Sequence, residues 1–269
     1  MVIGSKPFLK WVGGKRNLLP ILLERIPKQY GTYHESFLGG GALFFALQPQ
    51  RAILSDINSW LILAYYGVKC WPELVLNRLQ LHQANHSKEY FYELRDHLYT
   101  MFDYWHDISP ANFAADFIYI NKTCFNGLFR VNKSGKFNVP MGKYKNPNIV
   151  NTDVLLNASK ALENTELKTI SFTEIKITPN DFYYFDPPYY KTFNQYHNSG
   201  FNEKSHVLLA EVCALINMDK GYFMTSNSDT PFIRELYKHF RIEEVSASRN
   251  VSCKGNTRGK TTELLIRNY

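Results

Sequence analysis

The run Thr32-Tyr-His-Glu-Ser-Phe37-Leu38-Gly39-Gly40-Gly41, followed by Ala42 to Leu47 and then by Arg51-Ala-Ile-Leu-Ser55-Asp56, decides how the rest of the chain reads. Thr32 to Phe37 has the content of a strand, and three glycines stop it. Ala42 to Leu47 reads as a short helix closed before Pro49, and Arg51 to Ser55 as a second strand running into Asp56. Strand, glycine turn, helix, strand is a βαβ unit, which implies parallel pairing and a right-handed crossover.

Outward from this unit the pattern changes twice. Upstream, Asn17 to Ile26 carries leucine and isoleucine at helical spacing and ends at Pro27. Downstream, Trp60 to about Ser109 is helical, with Tyr90, Phe91, Leu94, Leu98, Met101, Phe102 and Trp105 recurring at three- and four-residue intervals. Phe125 to Pro140 predicts a β-hairpin, its two arms flanking Ser134-Gly135. Strand-like runs return at Asp181 to Phe185, Gly221 to Thr225, Phe240 to Val245 and Thr262 to Arg267, with a helix from Lys204 to Ile216. The expected organisation is an α/β domain made of residues 1–60 and 150–269, interrupted by an inserted domain, 61–149, of helices and the hairpin.

Bulk properties narrow the class. With 45% hydrophobic and 20% charged residues the chain is globular rather than disordered. A net charge of +7 fits a polyanionic partner. The cations cluster at Lys122, Arg130, Lys133, Lys136, Lys143 and Lys145, and again at Arg249, Lys254, Arg258 and Lys260, among loop-forming residues. Cys70, Cys124, Cys213 and Cys253 form no CxxC pair, so no metal or disulfide framework is expected. The N-terminus lacks a signal-peptide core, and the longest apolar run, Trp60 to Val68, is too short to span a bilayer; a cytoplasmic protein without membrane partners is expected.

Three segments carry chemistry. The glycines after Phe37 allow close backbone approach to a nucleoside, and Asp56 stands where an acidic residue takes the ribose hydroxyls. A dinucleotide motif would place a third glycine where Phe44 stands, so the shorter cluster suits S-adenosylmethionine, which has no pyrophosphate to seat. Taken alone, the same pattern describes a glycine turn with a capping Asp. In Asp186-Pro187-Pro188-Tyr189 an apolar strand delivers a carboxylate into a stiff turn followed by an aromatic ring. The Asp186 carboxylate and the Pro187 carbonyl can accept the two N–H bonds of an exocyclic amine and hold its nitrogen for in-line attack, while Tyr189 stacks on an extruded base; taken alone, the tetrapeptide also describes a strand-to-loop turn with a surface Asp. The segment Phe8 to Arg16 places Trp11 beside two glycines and three cations; it packs on an adenine ring or is a basic helix-entry loop. The hairpin is the natural DNA reader, with Arg130 suited to a bidentate contact to guanine and Leu128 and Pro140 to a thymine methyl; a surface hairpin with scattered lysines has the same pattern.

Taken in order, KWVGGKR (10–16), FLGGGALFF (37–45), SDIN (55–58), FNGLFRVN (125–132) with FNVPMGKYKNP (137–147), YFDPPY (184–189) and TRGKTTELLIRNY (257–269) resemble the Dam-type DNA adenine methyltransferases over essentially the whole chain. The resemblance implies a Rossmann-like S-adenosylmethionine-dependent methyltransferase sheet and methyl transfer to adenine N6 in double-stranded DNA at GATC. It implies that Trp11, Lys15, Phe37, Gly39, Gly41, Asp56 and Asp186 bind the cofactor. Asp186, Pro187 and Tyr189 match catalytic positions. Phe125, standing where some relatives carry Tyr, matches a DNA contact, as do Asn126, Leu128, Arg130 and Pro140. A cognate restriction endonuclease acting separately is a further implied partner.

The residues exclude one relative of this chemistry. Cytosine-C5 transfer needs a cysteine after a proline, and the four cysteines follow Lys, Thr, Val and Ser. Asp186 stands where cytosine-N4 enzymes usually carry Ser and protein-glutamine methyltransferases Asn. An RNA or protein acceptor, or a silent DNA-binding subunit, are the remaining alternatives.

Overall fold

The computed structural model describes residues 5–15, 17–102, 109–190, 201–248 and 260–269. In chain order its first half contains α1 (Leu19–Glu24), β1 (Tyr33–Glu35), α2 (Ala42–Leu47), β2 (Ala52–Ser55), α3 (Ser59–Cys70), α4 (Pro72–Ala84), α5 (Lys88–Phe102) and α6 (Pro110–Thr123). The second half contains α7 (Thr152–Leu162), β3 (Thr165–Lys168), β4 (Phe182–Phe185), α8 (Glu203–Met218), β5 (Tyr222–Ser228), α9 (Pro231–Leu236), β6 (Arg241–Ser248) and β7 (Lys260–Arg267). Contacts divide the chain into one unit of Met1–Gly14, Gly39–Gln48 and Asn58–Thr169, and another of Lys15–Leu38, Pro49–Ile57 and Ile170–Tyr269.

The second unit is the sheet unit. Among the described residues its strands pair in the order β2-β1-β4-β5-β7-β6. β1 lies parallel to β2 and β4, and β4 parallel to β5, as the βαβ reading requires. β7 runs antiparallel to both β5 and β6. This is the Rossmann-like sheet expected from the sequence. Its strand order reverses between β1 and β4, the switch point at whose carboxyl side open α/β sheets place ligands. β4 is buried at all four positions, Phe182 to Phe185, because a central parallel strand is covered on both faces. Tyr183, Phe185, Leu209, Cys213, Ile216, Phe223, Leu264 and Ile266 form the core around it.

The start of α1 differs from expectation for a physical reason. The sequence pattern begins at Asn17, yet the helix opens at Leu19, because Pro20 is tolerated only in a first turn. α8 starts where a capping box sets it, with Asn202 and Ser205 satisfying each other's backbone N–H groups.

The first unit is mainly helical. Trp60 on α3 packs edge-on to Phe113 and Phe117 of α6. Fully buried Asp116 accepts from Arg78 and, at 2.8 Å, meets His82 Nε2, which ties α4 to α6. The predicted hairpin is present in reduced form. Two isolated antiparallel bridges, Cys124↔Met141 and Val131↔Phe137, replace continuous strands. Its tip closes where expected: Asn132 donates to the Lys136 carbonyl at 2.8 Å and Gly135 takes φ +76°. Regular pairing stops short because Phe125–Gly127 forms a single 3-10 turn, Asn126 is left-handed and Pro140 has no N–H to give.

Trp105 lies outside the described residues, as do Arg16, Arg249, Lys254 and Arg258. Among the described residues no helix is long and apolar enough to cross a membrane.

Candidate active site

In the sheet unit, β2 and β4 lead directly into Asp56 and Asp186, and Phe37 follows two residues after the end of β1. Phe37 is half-buried, stacked on Phe172 at 5.4 Å and edge-on to Phe185. Asp56 is half-buried at the end of β2.

Asp186 is the centre of a compact cluster. The Lys15 ammonium lies 2.8 Å from Asp186 Oδ1, and the Ser226 hydroxyl donates to the same oxygen at 3.0 Å. Lys15 Nζ also stands 4.5 Å from the centre of the Tyr189 ring, a cation–π distance. Tyr189 is 8% exposed, and its hydroxyl donates to Glu263 Oε2 at 2.7 Å. Burial, then the charges of Asp186 and Glu263, hold the Tyr189 phenol well above its ordinary range, so it remains a neutral donor. Pro187 is buried and Pro188 exposed. The structure thus brings Lys15, Asp186 and Tyr189 into contact and adds two residues to them: Ser226, which no motif contains, and Glu263, which lies in the 257–269 motif but had no role assigned. Ser226 and Glu263 are 1% and 7% exposed, and the one signal in the sequence was Glu263 standing directly before the apolar run Leu264-Leu265-Ile266.

This donor set suits S-adenosylmethionine. Carboxylates stand at two strand ends, Asp56 offering acceptors for ribose hydroxyls, and the Phe37 ring beside them offers an apolar face to the nucleoside.

The helical unit holds the other candidates. Gly39 takes φ +46°, and a Cβ there would lie 2.7 Å from Trp11 Cδ1, so the indole rests directly on the glycine. On Trp11 stacks Phe129, with centroids 5.8 Å apart and planes 21° from parallel. Gly41, φ +63°, caps α2. Asn121 clasps the Trp11 segment from α6: its side chain accepts from Lys10 N and donates to Lys10 O, both at 2.8 Å, and donates to Gly127 O.

Of the recognition candidates, Phe125, Asn126 and Pro140 are exposed, while Leu128 and Arg130 are half-buried. Phe125 N donates to the Pro140 carbonyl at 2.9 Å, which closes the two ends of the 125–140 segment on each other. Arg130 reaches across the turn: Nε donates to Asn138 Oδ1 at 2.7 Å and Nη2 to Asn138 O at 3.3 Å. Lys122 departs from the expected outward run of cations. Its ammonium donates to the Ile149 carbonyl, and burial with the nearby Lys10 charge lowers its pKa to about 8.

The sequence profile of the family described as D12 class N6 adenine-specific DNA methyltransferase matches residues 11–251. The type II methyltransferase M1.LlaDCHI of Lactococcus lactis subsp. cremoris is 40% identical across 99% of this chain and 96% of its own. The type II methyltransferase M.MjaIII of Methanocaldococcus jannaschii is 37% identical across 98% and 99%. The DNA adenine methylase of Escherichia coli K12 is 33% identical across 97% and 94%. The chain belongs to the D12 class of N6 adenine-specific DNA methyltransferases, enzymes whose methyl donor is S-adenosylmethionine.

Proposed function

We propose that this enzyme methylates adenine N6 within GATC in double-stranded DNA, by turning the target base out of the helix and transferring the methyl group directly. The observation that carries the proposal is the contact of Lys15, Asp186 and Tyr189 at the carboxyl end of β4. S-adenosylmethionine supplies the electrophilic methyl group. Asp186 and the Pro187 carbonyl accept the two N6 hydrogens and aim the nitrogen lone pair at that methyl. As the N–C bond forms, the sulfonium–methyl bond would break and release S-adenosylhomocysteine, and the amino group would give up one proton, for which Asp186 is the assigned acceptor. Lys15 holds Asp186 in place as the extruded base enters beside Tyr189.

Trp11, Lys15, Phe37, Gly39, Gly41, Asp56 and Asp186 hold the cofactor in this reading. Phe125, Asn126, Leu128, Arg130 and Pro140 read the DNA. Residues 1–60 and 150–269 are assigned to catalysis and 61–149 to recognition. Two relatives named type II methyltransferases support a role beside a restriction endonuclease, and the DNA substrate supports a cytoplasmic location. In the test, a GATC duplex treated with enzyme and methyl donor becomes resistant to a nuclease blocked by GATC adenine methylation. Unchanged cleavage after full incorporation of label would refute the GATC assignment.

A further inference from the structure

We infer that Ser226 and Glu263 are positioning residues for methyl transfer: Ser226 fixes the carboxylate of Asp186, and Glu263 fixes the ring of Tyr189. The inference rests on the proposed roles of those two residues and extends them to a pair that lies beneath the reacting groups rather than against them.

Ser226 sits on β5, beside β4 in the sheet, and is 1% exposed. Its hydroxyl and the Lys15 ammonium both meet Asp186 Oδ1. Two donors on one oxygen fix the plane of the carboxylate and leave Oδ2 to take a hydrogen from the adenine amino group. Glu263 sits on β7, opposite Ser228 of β5 and followed by Leu264 and Leu265, each at most 1% exposed. A carboxylate buried at such a position is costly, and an apolar side chain would fill it more cheaply. What the carboxylate provides is an acceptor for the Tyr189 hydroxyl at 2.7 Å. With its hydroxyl anchored, the ring cannot swing about its Cα–Cβ bond, so it presents one set plane to a stacked base.

Glu263→Leu removes the acceptor at similar volume, whereas Glu263→Gln keeps an amide oxygen that accepts from Tyr189. Three readouts separate positioning from folding: single-turnover rate, KM for S-adenosylmethionine, and the fluorescence of 2-aminopurine replacing the target adenine, which rises when the base unstacks. Glu263→Leu should lower the single-turnover rate about 10- to 100-fold, as small misplacements of reacting groups do. It should also weaken the 2-aminopurine signal, leave KM for the cofactor within about twofold, and still melt cooperatively. Glu263→Gln should recover most of both readouts. Ser226→Ala should lower the rate with the 2-aminopurine signal intact, because the base still enters but meets a misaligned carboxylate. Wild-type rates in Glu263→Leu and Ser226→Ala would overturn the inference, as would rate losses equal in the Gln and Leu variants and proportional to lost melting temperature. A wild-type enzyme that transfers nothing to adenine would sink the underlying reading instead, so the two failures are distinguishable.

Discussion

In the proposed mechanism Asp186 carries the chemistry because of where β4 ends. Four buried aromatic residues fix the strand, and the next position must leave the sheet at the switch point. Replacing Asp186 with Ala should lower the transfer rate by about 10²–10³ or more, the range for losing one preorganised electrostatic group. Duplex retention in a gel-shift assay should survive, since the recognition residues are untouched. Arg130 is a harder case, because two of its donors are committed to Asn138. A guanidinium has five N–H donors, so the same side chain can brace the turn and still address a guanine edge. Arg130→Ala should cost about 1–3 kcal/mol of binding and relax discrimination at one guanine. Competition binding with duplexes altered one base pair at a time checks this. Equal loss on every duplex would make Arg130 a brace or a phosphate contact only.

At the scale of elements, the glycine turn after β1 is demanding. Gly39 combines a left-handed φ with an indole lying where a Cβ would stand. Gly39→Ala should destabilise the protein by about 1–3 kcal/mol through overpacking against Trp11, read as a shift in the urea midpoint, and should raise KM for S-adenosylmethionine. In the helical unit, Asp116→Ala would strand the Arg78 and His82 donors beneath α4. The loss should fall near the lower end of the about 3–5 kcal/mol expected for breaking a buried ion pair, because Arg78 keeps 30% of its side chain exposed. Elements with a strict period were legible in the sequence: β1, α2, β2, β4 and α8 stand where their patterns put them. The hairpin was legible at its Ser134-Gly135 tip but not in its arms, where a 3-10 turn and Pro140 interrupt pairing. α7 was legible in principle, with Asn151 as its cap and Leu155, Ala158 and Leu162 at helical spacing, whereas β3 and α9 are too short to show a period. The Ser226–Asp186 and Glu263–Tyr189 contacts join residues 40 and 74 positions apart, and only sheet order makes them neighbours.

For the molecule as a whole, acid should unfold it early. His206 is 1% exposed, its Nδ1 set 3.3 Å from the Asn227 amide, and burial lowers its pKa from 6.5 to about 4. Between those values the unfolded chain binds more protons than the folded one, so stability falls as pH drops from 6.5 towards 4. Urea midpoints across that window should decline, and less steeply in His206→Gln. The +7 net charge predicts in addition that duplex affinity falls steeply with salt. The family was legible because six ordered motifs recur along the chain, although no single one of them specifies DNA, adenine or a methyl donor. The most direct measurement is nucleoside analysis of duplexes incubated with the enzyme and methyl-labelled S-adenosylmethionine. The account predicts that label elutes as N6-methyldeoxyadenosine, from GATC duplexes and not from duplexes with the adenine replaced. Label in N4-methyldeoxycytidine, or equal label in duplexes lacking GATC, would contradict it.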